Sequence, residues 1–428
     1  MWTFRVRDVE EPLPALAGRG FPLGPATWRP TAGFDVPGAA GYTAPMHILH
    51  LGKYYPPYRG GMETILQAMA EGLLDAGCDV TVVVAAEGGT GSSEEMHGPR
   101  TGHAGRLLRT ARLGLVNSQP LTPALPGVVR RELAFGGVDV LHVHLPNPLA
   151  AGVCLALRRD PALKRVPLAV WYHADITRQR IGGRLVAPLV RACLREADGI
   201  CVSSAALRDG SPVLAPWRDK VAVVPFGIEP QPWGAVSPRR DGPVLFVGRL
   251  VPYKGVAVAL DALAQAPQVE LDIVGEGPLE GELRERAARL GVAARVRFLG
   301  EMDSPGIAQL LGRARALVLP SIDRSEAFGL VQLEAMAAGV AVVCTDLPTG
   351  VREVGLPGQT CLRVPPGDSG ALASALADLW SADGLATRLG EAGRARFREN
   401  FTREVMVARM VAWYEGLLAH ARDGGSGR

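Results

Sequence analysis

His47-Ile48-Leu49-His50-Leu51, then Tyr54-Tyr55-Pro56-Pro57-Tyr58-Arg59-Gly60-Gly61, then a run with Ile65, Leu66, Met69 and Leu73 on one face, decides the fold. The first five residues read as a short strand and the Pro- and Gly-rich stretch as a loop. Residues 62–76 read as a helix closed by Gly77, and 80–85 as a buried strand. This is one β-α-β unit, and working outward from it the pattern repeats. Strands are expected at 138–143, 168–172, 200–203 and 221–224, each separated by a helix-compatible segment. Such alternation specifies a parallel sheet covered on both faces. After Pro225 the chain passes through Glu229-Pro230-Gln231-Pro232-Trp233-Gly234 to Asp241-Gly242, a breaker-rich stretch suited to a linker. A second series follows, with strands at 244–248, 269–274, 296–299, 316–319 and 340–344 and helices at 256–265, 279–290 and 328–338. Helices at 370–381, 385–399 and 402–419 end the chain, the last expected to cross back to the first domain. The expected architecture is α/β, with two facing, doubly wound, Rossmann-like parallel-sheet domains.

Composition bounds this reading. The 428 residues suit two or three domains, and the 47% apolar content is too high for a largely disordered chain. No run of eighteen uncharged apolar residues occurs, and no secretory signal follows Arg5 and Arg7. Cys78, Cys154, Cys193, Cys201, Cys344 and Cys361 are scattered without a C-x-x-C pair, and read as buried thiols in a reducing cytosol. A net charge of +3 does not argue for nucleic acid. The distribution is uneven, however: residues 100–184 hold 13 Lys and Arg against 4 Asp and Glu. Arg106, Arg109, Arg112, Arg130 and Arg131 belong to this stretch, which is either a solvated Arg-rich surface or a face for an anionic membrane. The first 45 residues hold 7 Pro and 6 Gly and lack periodicity. They are expected to be a disordered leader or a mis-called extension, with Met46 as the real start; a mass spectrum beginning at Met1 would sink the second version. The organisation is therefore 1–45 leader, 46–233 first domain, 234–242 linker, 243–400 second domain, and 401–428 crossover helix and tail.

In open parallel sheets ligands bind beyond the carboxyl ends of strands. Gly60-Gly61 precedes a helix whose first amides can close on an anion, although a turn needing glycines reads the same way. Arg249 stands at a strand end and Lys254 before the next helix, bracketed by Gly248 and Gly255. Two fixed cations there suit a diphosphate, Arg by a forked hydrogen bond and Lys as a point charge. Gly275-Glu276-Gly277-Pro278 lacks the third glycine of a dinucleotide fingerprint and argues against a dehydrogenase. Ser325 to Met336 contains Glu326 and Glu334. On a single helix they would stand about 80° out of register and about 12 Å apart along the axis, which does not make a catalytic pair. Glu326 is more naturally in the preceding loop and Glu334 two turns into the helix. A ligand lying along the helix would put phosphate on the amides of Gly329 and Leu330, a sugar by Glu326 and a ribose diol on Glu334. His142 and His144 share a strand face, but no third ligand with sensible spacing is evident, and a metal is not expected.

The Gly-Gly-Met-Glu loop, the Gly-Arg-Leu…Lys-Gly loop, the Val-Gly-Glu-Gly-Pro turn and the E-x7-E segment, in this order along the chain, resemble family 4 glycosyltransferases. The resemblance runs from about Met46 to the C-terminus and implies the GT-B fold, retention of configuration and nucleotide-sugar donors. It looks strongest toward the mannosyl- and rhamnosyltransferases of bacterial surface polysaccharides. By it, Arg249 and Lys254 hold the diphosphate, Glu326 the donor-sugar hydroxyls and Glu334 the ribose. His173, at the end of a strand, contacts the transferred sugar, and Gly60, Gly61, Gly248, Gly277, Phe328, Gly329 and Leu330 complete the donor site. Phe226 departs from the family, many of whose members carry Asn there.

The implied reaction moves a hexose, mannose by preference, from a nucleoside diphosphate such as GDP-mannose to a saccharide or polyprenyl-diphosphate-linked acceptor. No Asp-x-Asp signature is present, so cations of the chain rather than a metal are expected to neutralise the leaving group, and no cofactor is expected. The expected place is the cytoplasm, peripheral on the inner face of the membrane. Two other classes fit the same cleft: a nucleotide-sugar epimerase or phosphorylase, and a non-catalytic sugar-nucleotide-binding protein.

Overall fold

The computed structural model describes residues 46–424 apart from 59, 117–118, 136, 162, 176–179 and 382–383. The expectation for residues 1–45 lies outside the described residues. The first domain runs β1 (His47–Leu51), α1 (Gly61–Asp75), β2 (Asp79–Ala85), β3 (Ser92–His97), β4 (Ala104–Thr110), β5 (Gly114–Val116) and β6 (Gln119–Leu121). It continues with α2 (Leu125–Phe135), β7 (Val140–Leu145), α3 (Pro148–Leu157), β8 (Leu168–Tyr172), α4 (Arg180–Glu196), β9 (Gly199–Val202), α5 (Ala205–Gly210) and β10 (Val221–Val223). The second comprises β11 (Val244–Val247), α6 (Val256–Gln265), β12 (Leu271–Val274), α7 (Glu280–Arg289), β13 (Val296–Phe298), α8 (Ser304–Arg313) and β14 (Ala316–Leu319). Then come α9 (Val331–Ala338), β15 (Ala341–Thr345), α10 (Gly350–Val354), β16 (Cys361–Val364), α11 (Ser369–Ser381), α12 (Leu385–Asn400) and α13 (Arg403–Gly424).

The first sheet has the order β10-β9-β8-β7-β1-β2-β4-β3 and the second β13-β12-β11-β14-β15-β16. Their central strands are buried along nearly their whole length because helices cover both faces, although β1 and β7 place His50, His142 and His144 among the apolar residues. The order reverses between β1 and β7 in one sheet and between β11 and β14 in the other, and these switch points are where a ligand crevice opens. The expected wholly parallel first sheet is corrected at its edge, where β3 pairs antiparallel with β4. Ser92, Ser93, Glu94 and Glu95 are exposed, so this strand lacks the apolar run by which a buried strand is recognised. The segments β4, α8, α10 and β16 also add to the expected elements.

Two chain crossings join the domains side by side. Ile228 bridges Thr402, its amide donating to the Phe401 carbonyl at 3.0 Å, and the Arg403 amide returns to the Ile228 carbonyl at 2.9 Å. Beyond them α13 packs on α1, so closely that a Cβ on Gly72 would lie 2.5 Å from a Val407 methyl. Met406, Met410, Trp413 and Tyr414 thereby enter the core of the first domain, as the crossing helix requires.

Candidate active site

The loop after β11 carries Arg249, exposed, and Lys254, mostly covered. Gly255 makes the turn possible: its φ is +69°, and a Cβ would stand 1.9 Å from the Pro320 carbonyl oxygen. That close approach brings the loop after β11 against the loop after β14. There Lys254 Nζ lies 2.6 Å from Glu326 Oε2, which also accepts from Ser321 Oγ at 2.9 Å. Burial opposes the charge on Lys254, but the Glu326 carboxylate, with Tyr253 and Glu334 behind it, outweighs burial and holds its pKa above the ordinary value. Gly277 has a structural part, since a Cβ there would meet the Leu250 carbonyl oxygen at 2.4 Å. Gly248 likewise packs against the Lys254 stem.

Helix α9 begins three residues later than expected, because Gly329 takes φ +74° and Leu330 caps the helix. Glu334 therefore stands in its first turn, not two turns in. Burial pushes its carboxyl up to about 7, with Lys254 pulling the other way. The Gln332 and Leu333 amides donate to the Gly329 and Leu330 carbonyls at 2.9 and 2.8 Å, so at this end of α9 it is the amides of Gly329, Leu330 and Val331 that have no backbone acceptor among the described residues. Gly61, the first residue of α1, faces them from the other domain: a Cβ on it would come 3.9 Å from Leu330 Cδ1. Gly60 leaves room for the Glu63 carboxylate, which would lie 2.2 Å from a Cβ. Two helix N-termini thus converge where a diphosphate is expected. The Phe328 side chain does not join them. It is buried edge-on to Phe226 at 5.0 Å and near Phe401 at 6.5 Å, so only its backbone remains for a ligand.

His173 follows β8 at the cleft, its amide donating to the Leu145 carbonyl at 2.9 Å. Phe226, the residue that departs from the family pattern, stacks on its ring at 5.8 Å and on Trp171 at 5.6 Å. The expectation that His142 and His144 lack a third partner is corrected by topology. β1 pairs with β7 so that His50 stands opposite His142, and ligand-type atoms of His50, His142 and His144 lie within 4.8 Å of one another. Sequence spacing hides this, since His50 is 92 residues from His142 and only the strand order brings them together. Beside His173 a cavity of about 360 Å³ is lined by Tyr172, Asp175 and Ser211 of one domain and Arg324, Ala327 and Thr349 of the other. Asp175 accepts there from Tyr172 Oη at 2.9 Å and Ser211 Oγ at 2.6 Å. Neither Ser321 nor Arg324 carried a sequence signal beyond its nearness to Glu326.

Two facing sheets with cations and helix N-termini at their switch points define the GT-B class of glycosyltransferase. Residues 59–232 match the model of "Glycosyltransferase Family 4" and residues 229–396 that of "Glycosyl transferases group 1". The chain belongs to family 4 of the glycosyltransferases and is a hexosyltransferase. O-antigen chain mannosyltransferase C of Escherichia coli is 31% identical over 382 residues, 87% of this chain and 99% of its own. D-rhamnosyltransferase WbpZ of Pseudomonas aeruginosa is 33% identical, over 83% of this chain and 92% of its own. Among solved structures, a sucrose-phosphate synthase from Thermosynechococcus elongatus superposes with a TM-score of 0.72 at 23% identity, covering 88% of this chain and all of that one. Anabaena Alr3699/HepE in complex with UDP superposes with a TM-score of 0.70 at 21% identity, over 87% of this chain and 100% of its own. These likenesses confirm the fold.

Proposed function

We propose that this enzyme transfers mannose, with retention, from GDP-mannose to a saccharide or polyprenyl-diphosphate-linked saccharide in surface polysaccharide synthesis. The observation that carries the reading is the cluster at the second switch point, with Arg249, Lys254 and Glu326 opposite the N-terminus of α1. In the reaction the bond from the anomeric carbon to the β-phosphate oxygen breaks while the acceptor oxygen bonds to that carbon on the same face. The acceptor proton passes to the departing diphosphate. Lys254, Arg249 and the amides of Gly329 and Leu330 stabilise the charge that develops there, in a site that is already assembled. Glu326 binds sugar hydroxyls, Glu334 the ribose diol, and His173 the transferred sugar. We propose that no metal takes part, so that turnover survives EDTA.

The mannosyl choice is supported by the relatives' names, and a nucleotide donor by the UDP in the HepE complex. The membrane part is supported by the basic first domain, where Arg130 and Arg131 extend 68% and 63% exposed and Leu113, Leu115, Leu121 and Phe135 are exposed. Arg106 and Arg131 pair with Glu132, Arg109 with Glu94 and Arg130 with Asp160, so neighbouring carboxylates offset part of this charge. Among the described residues no helix is long and apolar enough to cross a membrane. A thermal-shift panel of GDP-mannose, UDP-glucose, UDP-N-acetylglucosamine and dTDP-rhamnose tests the donor. A ligand at 100 times its dissociation constant stabilises by about 2.7 kcal/mol. GDP-mannose should give the largest shift; a larger shift with another donor contradicts the mannosyl choice.

A further inference from the structure

Three buried histidines from neighbouring strands form one chain that ends in the cleft. His173 Nε2 lies 3.0 Å from His144 Nδ1, and His144 Nε2 lies 3.1 Å from His50 Nδ1. The rings follow one another at 5.3 Å and 5.4 Å between centroids. All three are buried, and burial drives the pKa of His50 and His173 down to about 3 and that of His144 well below its ordinary value. Each ring is therefore neutral and carries one proton, one nitrogen donating and the other accepting.

Two bonds among three neutral rings allow only two arrangements, because His144 cannot donate from both nitrogens or accept at both. In the first, His173 donates to His144 and His144 to His50, which leaves a proton on His50 Nε2. In the second, His50 donates to His144 and His144 to His173, which leaves His50 Nε2 bare and puts the proton of His173 on Nδ1. His50 Nε2 is buried without a hydrogen-bond partner among the described residues. Stranding an N–H there is the rarer and costlier outcome, since orphaned donors are less well tolerated than under-used acceptors. His173 Nδ1 has no hydrogen-bond partner among the described residues and is not one of the buried unpartnered atoms.

We infer that His50 and His144 are positioning residues whose hydrogen-bonded chain fixes His173 as the Nδ1–H tautomer, so that a preset donor faces a hydroxyl of the transferred sugar. The sugar as its target rests on the function proposed above; the tautomer does not. The ring orientation is held twice, by His144 on one edge and by Phe226 against its face, so no rotation or proton shift is needed when the sugar arrives.

The direct test is a ring nitrogen correlation spectrum of the free wild-type protein labelled with ¹⁵N-histidine, with His173→Gln used for assignment. A His173 protonated at Nδ1 and bare at Nε2 is expected; protonation at Nε2, or a mixture of the two forms, overturns the inference. Kinetics give a second test. In His144→Asn an amide N–H stands where Nδ1 stood and still donates to His173 Nε2, whereas His144→Leu fills space alone. His144→Leu is expected to lower kcat/KM by about tenfold or more, and His144→Asn to recover most of that loss although it packs less well. If the Leu variant matches or exceeds the Asn variant, the role is packing and the inference fails. The spectrum is read without substrate, so failure of the proposed transfer reaction and failure of the tautomer are separate results.

Discussion

Arg249 and Lys254 are both cations at the end of β11, yet they are held differently. Lys254 is tied to Glu326 at 2.6 Å, while Arg249 is exposed and has no ion-pair partner among the described residues. Lys254 is thus held in place by Glu326, whereas Arg249 has no such tie. Arg249→Ala and Lys254→Ala should each cost on the order of 3 kcal/mol of transition-state stabilisation, roughly a hundredfold in kcat/KM. Steady-state kinetics on variants with wild-type melting curves check this. Glu334 gives a pH signature. Its carboxyl is raised to about 7, so it is largely protonated below that pH, and a neutral acid is a poorer acceptor for two ribose hydroxyls. Donor affinity measured by calorimetry should rise as pH climbs through about 7, and Glu334→Gln should flatten the rise. The linkage to folding has the opposite sign. A raised carboxyl pKa means that the folded chain holds its proton longer, so this group's contribution to stability falls as pH rises between its ordinary value and about 7.

At the scale of elements, the sequence was most readable where a strand is buried on both faces. β8, β11 and β14 stand within a residue of the expected positions because their apolar runs have no other reading. The loops of the candidate site could be located as well, since Arg249, Lys254 and Glu326 are charged residues that a strand end rarely needs for packing, while Gly248 and Gly255 mark the turn that carries the two cations. Elements whose cause is remote were not legible. β3 exists because β4 offers an edge, and α9 starts late because Gly329 packs in a left-handed conformation against Leu319. The histidine chain has the same origin: the register of β1, β7 and β8 creates it, and no local spacing announces it. The loop packing makes its own prediction. Gly255→Ala combines a left-handed backbone with a Cβ 1.9 Å from the Pro320 oxygen, and should destabilise the second domain by about 2 kcal/mol or more. It should also reduce donor binding, because Lys254 would be displaced. Thermal melting with and without GDP checks both.

At the scale of the molecule, the aromatic pair Phe226 and Phe328 joins the two domains within one hydrophobic cluster, and a polar contact stands apart from it. Glu353 of α10 accepts the amides of Ala205 at 2.9 Å and Ala206 at 2.5 Å, capping α5 of the opposite domain. Burial raises the Glu353 carboxyl above its ordinary pKa, and those two amides lower it in return. Such a contact is easily exchanged for water, which suits a cleft that must open for substrates. Glu353→Ala should expand the radius of gyration measured by solution scattering and leave the melting temperature almost unchanged. The central claim concerns the reaction that this closed cleft performs. It is tested most directly by proton NMR of the product formed from GDP-α-mannose and a saccharide acceptor. The account predicts an α-linked mannoside released in step with GDP; a β-linked product, or GDP-mannose consumed without any glycoside, would contradict it.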